Sequence, residues 1–327
     1  MVAFTRRAAI AAPLIAVSSP GRAQAWRPAG QVRIIVPAAA GGTTDIMARL
    51  LAQHLQAKWG TPVVVENRAG AGGTIGTLEM VRARPDGTTL MLGNIGPQSI
   101  AYSLFRNLPY RADQIAPIAG TIRGPNVLVV NPSVPARTVA ELAALLRAQP
   151  GRIPYASTGV GQSTHLSPVL MLQMLGAEAI HVPLRGSAPA QIEILAGNVA
   201  FLIDNLTGII GHIQAGRVRA LAVTSAERHA LLPEVPAMRE TMPELAAYDV
   251  NTWFGLFGPA ALPSEIVNSL NAEVMALLAL PDTRRRFAEL GGVGMPGNPD
   301  AFAVFVRSEI AKWGEVIRKE GLQLDAG

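Results

Sequence analysis

Apolar residues recur along this chain in two rhythms. Short runs that are apolar almost throughout, VRIIVP (32–37), PVVVEN (62–67), TTLMLGN (88–94), NVLVVN (126–131), RIPYAS (152–157), AIHVPL (179–184), VAFLID (199–204), VRALAVTS (218–225) and TWFGLFGP (252–259), read as strands buried on both faces. Between them apolar residues return every three or four positions. From Thr43 the stripe Met47, Leu50, Leu51, His54 and Leu55 predicts a helix that Gly60 and Pro62 stop. TVAELAALLRAQPG (138–151) carries a capping box, Thr138 with Glu141, and ends at Pro150-Gly151. A helix is expected over 74–82. The last long stretch, from Asn298, places Phe302, Phe305, Val306, Ile310, Trp313 and Ile317 on one helical face.

Alternation of such strands and helices is the pattern of an α/β protein with largely parallel strands. Nine strand candidates exceed the four to six of a typical sheet, which points to two α/β lobes. In TIRGPNVLVV, Gly124-Pro125 separates two strand-like runs with no helix between, as a crossing between lobes requires. LAAYDVNTWFG (245–255) offers the return crossing. The expected division is 26–124 with 250–327 for one lobe and 125–249 for the other.

The first residues do not belong to this pattern. Arg6 and Arg7 precede an apolar stretch of about half a membrane span, and Ala23-Gln24-Ala25 follows, which predicts an export signal cleaved after Ala25. The arginine pair is compatible with either the twin-arginine or the Sec route. Removing Arg6, Arg7 and Arg22 from 28 basic residues leaves 25 against 23 acidic ones, so the net charge falls from +5 to +2. That is no nucleic-acid footprint, and Arg284 to Arg286 read as the solvated face of a helix. The absence of cysteine excludes disulfides, thiolate metal sites and thiol nucleophiles. An exported, cysteine-free domain suits a bacterial periplasm.

Catalytic motifs are missing. There is no HExxH, GxSxG or Walker loop, and the five histidines (His54, His165, His181, His212, His229) are scattered. GAGGTIG from Gly70 is off-register for a dinucleotide fingerprint and follows the second strand, so it reads as a turn into a helix. The strand-to-helix loops are instead rich in Gly, Ser and Thr: PAAAGGTTD, NRAGAGG, GNIGPQS and ASTGVGQSTHL. Such loops present amides and hydroxyls at helix N-termini, where the dipole favours an anion without any Arg or Lys. His165 reads either as a structural ring or as a site residue. Asp204-Asn205 either caps a helix or faces a cleft.

Taken in order, IIVPAAAGGTTDIMARLLA, VVVENRAGAGGTIG, RPDGTTLMLGN, YASTGVGQSTHL, VPLRGSAPAQIEILAGNVAFLIDN, HIQAGRVRALAVTSAER and WFGLFGPAALP resemble the solute-binding proteins of tripartite tricarboxylate transporters, the Bug family. The resemblance spans essentially the whole chain after the signal. It implies a periplasmic binding protein of the second structural type, two α/β lobes closing on a small carboxylate. Position by position it points to Ala39, Ala40, Gly41, Thr44 and Asp45 in the first lobe. In the second it points to Ser157, Thr158, Gly159, Gln162, Ser163 and His165, with Asp204 and the Arg185–Ser187 loop as weaker candidates. The chain departs from the family where an aromatic residue is replaced by Ala38, where VPYKG becomes VPLRG at Leu184, and at Pro168 inside the helix expected from Ser163. The two lost rings predict a roomier pocket and an aromatic or branched acid.

The resemblance therefore implies a receptor, expected to act as a monomer without cofactor or metal, that hands its ligand to a membrane transporter. Two alternatives remain open at this point: a carboxylate sensor feeding a kinase, and an exported α/β enzyme. The enzyme needs a nucleophile bonded to a base, and Ser163 with His165 is the nearest pair in the sequence.

Overall fold

The computed structural model describes residues 26–319 and 321–325; the segment read as an export signal lies outside the described residues. Among the described residues ten strands form: β1 (Val32–Val36), β2 (Val63–Asn67), β3 (Thr89–Asn94), β4 (Ile115–Val130), β5 (Pro154–Ser157), β6 (Ile180–Pro183), β7 (Phe201–Asn205), β8 (Arg219–Val223), β9 (Asn251–Pro259) and β10 (Val293–Gly294). The helices are α1 (Thr43–Trp59), α2 (Thr74–Val81), α3 (Ala101–Leu104), α4 (Val139–Ala148), α5 (Ser163–Leu175), α6 (Ser187–Ala196), α7 (Leu206–Gln214), α8 (Met238–Thr241), α9 (Ser264–Ala279), α10 (Pro281–Glu289) and α11 (Pro299–Lys319). Each of the nine apolar runs holds a strand. No helix among the described residues is long and apolar enough to cross a membrane.

The strands hydrogen-bond in the order β2-β1-β3-β9-β4-β7-β5-β6, with β8 and β10 also on β4. β1 runs parallel to β2 and β3, and β5 runs parallel to β6 and β7. Side chains alternate between two cores. Ile34, Val36, Leu90, Leu92, Val127, Val129 and Leu202 face Met47, Leu51 and Leu55 of α1, Ile194 of α6 and Leu270 of α9. Their neighbours Ile35, Met91, Leu128, Val130, Phe201 and Ile203 face Leu142 of α4, Met171 of α5 and Trp313 of α11. Helices therefore cover both faces, which is why the strands read as continuous apolar runs.

The expected break at Gly124-Pro125 is a change of partner within one strand. Up to Pro125, opposite Asn251, β4 pairs with β9; from Asn126, opposite Asn205, it pairs with β7. Proline cannot donate to a ladder, so it sits where one ladder ends and the next begins. Thr224 ties the crossings together. Its amide donates to the Asn126 carbonyl at 2.9 Å, its hydroxyl accepts the Asn126 amide at 2.8 Å, and its carbonyl accepts the Val250 amide at 2.9 Å. Two adjacent chain crossings thus join two α/β lobes, the architecture of a type II periplasmic binding protein.

Helix ends follow the sequence signals closely. Gly60 takes the left-handed conformation that ends α1. Thr138 accepts the Glu141 amide at 3.1 Å, but the Glu141 carboxylate reaches the amide of Arg137 and not that of Thr138. On α11, Phe302, Val306, Trp313 and Ile317 are buried as expected, while Phe305 and Ile310 are half-buried. Trp253 of β9 meets Phe302 and Phe305 edge-on, with ring centroids 6.1 and 5.4 Å apart, and donates its indole N–H to Glu309 at 2.9 Å. Gly255 makes room for this, since a Cβ there would lie 2.3 Å from the Phe302 ring. Phe302→Ala is expected to cost about 3–5 kcal/mol, the usual range for a deleted core phenylalanine. A urea titration checks it: the midpoint should fall at constant m-value, and an unmoved midpoint would mean that the ring does not anchor α11.

Candidate ligand-binding cleft

Four helices begin where a parallel strand ends at the junction of the lobes. β1 leads through Pro37–Gly42 into α1, β5 through Thr158–Gln162 into α5, β6 through Leu184–Gly186 into α6, and β7 directly into α7. Their N-caps, Gly42, Gln162, Gly186 and Asn205, make no side-chain capping bond. The Ile46 amide is the first of α1 to bond back, to Gly42, and those of His165 and Leu166 both bond to Gln162. Among the described residues, the amides of Thr43, Thr44, Asp45, Ser163, Thr164, Ser187 and Ala188 have no protein acceptor. A helix start carries about half a positive charge, and four of them surround one cleft.

The cleft is lined by Ala38, Gly42, Thr43 and Thr44 from the first lobe, Asn94 of β3, Thr158, Gln162, Ser163, Gly186, Ser187 and Asn205 from the second, and Thr252 and Phe254 of β9. None is ionised. The lobes are closed over it, leaving about 20 Å³, room for one or two waters. Closure is made by small residues and backbone. The Ala39 amide donates to the Arg185 carbonyl at 3.0 Å, the Thr43 and Thr207 hydroxyls meet at 2.7 Å, and the Gln162 side chain donates to the Gly72 carbonyl at 2.7 Å. Gly72 lies so close to Val160 that a Cβ would sit 2.1 Å from its carbonyl oxygen.

Of the residues indicated by the sequence, Thr44, Thr158, Gln162 and Ser163 line this cleft, as do Gly186 and Ser187 of the weaker loop candidate; Ala39, Ala40, Gly41, Asp45, Ser157, Gly159, His165, Asp204 and Arg185 do not. The Ala39 amide is taken by Arg185, Ala40 is exposed, and the Gly41 amide donates to Asp45 at 2.9 Å. Asp45 also accepts Arg49 at 2.9 Å and Asn67 at 3.1 Å. Burial opposes its charge, but the bonds from Arg49, Gly41 and Asn67 outweigh it and hold the carboxyl below its ordinary range. Asp45 braces the loop from behind. Asp204 does likewise in the second lobe, accepting the Ser187 hydroxyl, Gln191 at 2.8 Å and the Asn205 amide at 2.8 Å. Its complete burial raises the carboxyl pKa, and these three bonds only partly offset that. Because the Ser187 hydroxyl is given to Asp204, only its backbone N–H is left for a ligand.

Gly159 lines an outer groove, while Ser157 and His165 lie behind the loop. Ser157 accepts the Gly159 amide at 3.2 Å, and its hydroxyl is hydrogen-bonded to His181 Nε2, 2.7 Å away. His165 Nδ1 accepts the Gly161 amide at 3.3 Å. His165, His181, Tyr155 and Phe201 stack in a column with centroid separations of 4.3, 5.0 and 5.1 Å. Burial lowers the His181 pKa to about 4; burial and the neighbouring His181 lower that of His165 to about 3. The enzyme reading fails on this geometry. His165 turns to Gly161 and not to Ser163, and Ser157 of the Ser157–His181 pair is fully buried. Pro168 lies inside α5 and leaves the Thr164 carbonyl without its helical donor, while the Thr164 hydroxyl holds the Thr158 amide at 2.9 Å.

Asn94, Thr252, Phe254 and His181 were not singled out as site residues by the sequence, whereas Asn205, read there as a helix cap or a cleft residue, lines the cleft and makes no side-chain capping bond. Asn94 stands, like Asn205, at the last position of a strand before a helix, and that shared place is the signal that points to it. Thr252 and Phe254 belong to an unremarkable apolar run. Leu184 lines the outer groove and not the cleft, so the two departures from the family pattern do not open one common space. Among the described residues no group of three or more His, Cys, Asp or Glu is placed to hold a metal ion.

The fold and this cleft define a two-lobed solute-binding protein. The family model described as the tripartite tricarboxylate transporter family receptor matches residues 47–322, and the chain belongs to that family. BugT of Bordetella pertussis is 36% identical over 324 residues, covering 98% of this chain and 96% of its own. A protein from the tcbD-tcbE intergenic region of a Pseudomonas strain is 36% identical over 291 residues, 89% of this chain and 86% of its own. Among solved structures, R. palustris Rpa4515 with adipate superposes with a TM-score of 0.87 at 34% identity, covering 91% of this chain and 99% of that one. MatC of Rhodopseudomonas palustris with bound malate gives 0.85 at 32%, covering 89% and 100%. These relatives are solute-binding proteins, and the family is one of receptors, not enzymes.

Two outcomes test the cleft. Gly72→Ala places a methyl against the Val160 carbonyl and should hold the lobes apart, weakening any carboxylate that binds the wild type at least about tenfold, or about 1.4 kcal/mol. Calorimetric titration measures this, and unchanged affinity would show that Gly72–Val160 contact is not part of the bound state. Because both histidines are more acidic folded than unfolded, stability should decline as pH falls from about 6.5 towards 4, where His181 titrates. Urea midpoints across that window should slope less steeply in His181→Gln; identical slopes would place the lost protons elsewhere.

Proposed function

We propose that this chain is an extracytoplasmic receptor that captures a small carboxylate in the cleft between its lobes and delivers it to a tripartite tricarboxylate-type membrane transporter. The observation that carries the reading is the set of uncapped helix starts around a cleft without ionised lining. Such a site suits a carboxylate, whose charge is met by amides and dipoles of both lobes at once. Relatives with adipate and malate support the ligand class, and the family supports the periplasm and the transporter partner. The lobes in this reading are 26–124 with 250–327, and 125–249, in keeping with the change of partner on β4 at Pro125 and the Thr224–Val250 contact. It works as a monomer, and its export signal is cut after Ala25.

A thermal-shift panel of mono-, di- and tricarboxylates beside neutral sugars tests it. A true ligand at 100 times its dissociation constant stabilises the folded state by about 2.7 kcal/mol, a plain rise in melting temperature. A rise with a sugar and none with any acid would refute carboxylate capture.

A further inference from the structure

Beside the shut cleft lies a second, much larger space. A groove of about 520 Å³ runs between the Gly70–Gly73 loop of the first lobe and the Gly159–Val160 and Pro183–Arg185 segments of the second. Thr158 and Gln162 line both spaces, and Gln162 is the side chain that reaches across to Gly72. Thr158 and Gln162 thus form a wall that the two spaces share. Their chemistry differs. The inner one is walled by amides and hydroxyls; the outer one by Pro37, Ile75, Phe105, Val160, Pro183 and Leu184. The charges on the outer wall, Arg185 and Asp325, are of opposite sign, so the groove offers no net attraction for a second carboxylate.

We propose that the outer groove is a subsite for the apolar tail of the bound acid, so that this receptor selects monocarboxylates with an extended apolar tail over short acids and over diacids. This rests on the carboxylate reading above and adds to it. The closed inner chamber has room for a carboxylate's oxygens in place of one or two waters, and not for a carbon chain as well. With the lobes closed, the chain must continue past Gln162 into the groove. Ile75, 53% exposed without an occupant, and Leu184 then gain a cover, and each methylene placed against them raises affinity about fourfold. The Ala38 and Leu184 departures take on separate roles, one at the head and one at the tail.

Calorimetric titration of the full chain with propanoate, pentanoate, heptanoate and heptanedioate tests the assignment. Affinity should climb about three- to fourfold per added methylene through the monoacids, and heptanoate should bind at least tenfold tighter than heptanedioate. Ile75→Asp, at an exposed position, and Leu184→Asn, at a half-buried one, should each lower heptanoate affinity while leaving propanoate within twofold of wild type. A flat series, a preference for the diacid, or equal loss of propanoate and heptanoate overturns the tail subsite and leaves the receptor reading standing. Failure of every acid to bind removes the receptor reading, and the subsite with it.

Discussion

A helix cannot satisfy the amides of its own first turn, and the rest of this structure follows from where four such turns are placed. Parallel strands deliver every chain to the same edge of the sheet, so the loops after β1, β5, β6 and β7 all start helices there. Two lobes built this way and set face to face bring their helix starts together. Gly42, Gly186 and the Thr and Ser residues beside them keep that meeting close and uncharged. The site is thus a property of topology first and of side chains second.

The buried carboxylates show how the backbone is held in this arrangement. Asp45 and Asp204 each lie one layer behind the amides they support, and an unmodified negative charge there would oppose an anion in the cleft. The two lobes resolve this differently. Asp45 is neutralised by Arg49, whose bonds join those of Gly41 and Asn67. Among the described residues Asp204 has no ion-pair partner; complete burial pushes its pKa up, and hydroxyl and amide donors fill its oxygens. The Ser157–His181 pair completes the support of the second loop with a neutral ring in place of a charge.

The strands and most helices were legible because their signals are local: continuous apolar runs, the Thr138 cap, the Gly60 stop. The first half of β4, IAPIAGTIRG, carries too many small residues to read as a run, and its strand character comes from pairing with β9. Two-residue β10 has no local signal at all. In the site, the loops were legible from their Gly, Ser and Thr content, but the direction of each polar group was not. Asp45 and Ser157 were indicated by the family resemblance, and His165 and Asp204 were left open between support and site; the structure turns all four side chains behind the loops, a facing that sequence does not show. His181 was invisible for the opposite reason, since nothing near it in the chain announces Ser157, 24 residues away.

On the proposed reading, an anion site made of amides from two bodies has a consequence that an arginine site lacks. An arginine on one lobe would hold a carboxylate about as well with the lobes apart as together, because one residue supplies the full charge and both hydrogen bonds. Here α1 contributes its share from one lobe, and α5, α6 and α7 contribute theirs from the other. Separating the lobes therefore removes part of the favourable field and readmits water to the remainder, where each interaction is weaker. Affinity depends on closure itself. The contacts that close the lobes, Ala39 with Arg185, Thr43 with Thr207 and Gln162 with Gly72, are single hydrogen bonds between neutral groups, each worth about 0.5–1.5 kcal/mol net. Close packing joins them, with Gly161 against Phe105 and Gly42 against Ser187, and a site of this proposed kind would lose its acid on opening without any group on the protein having to change charge.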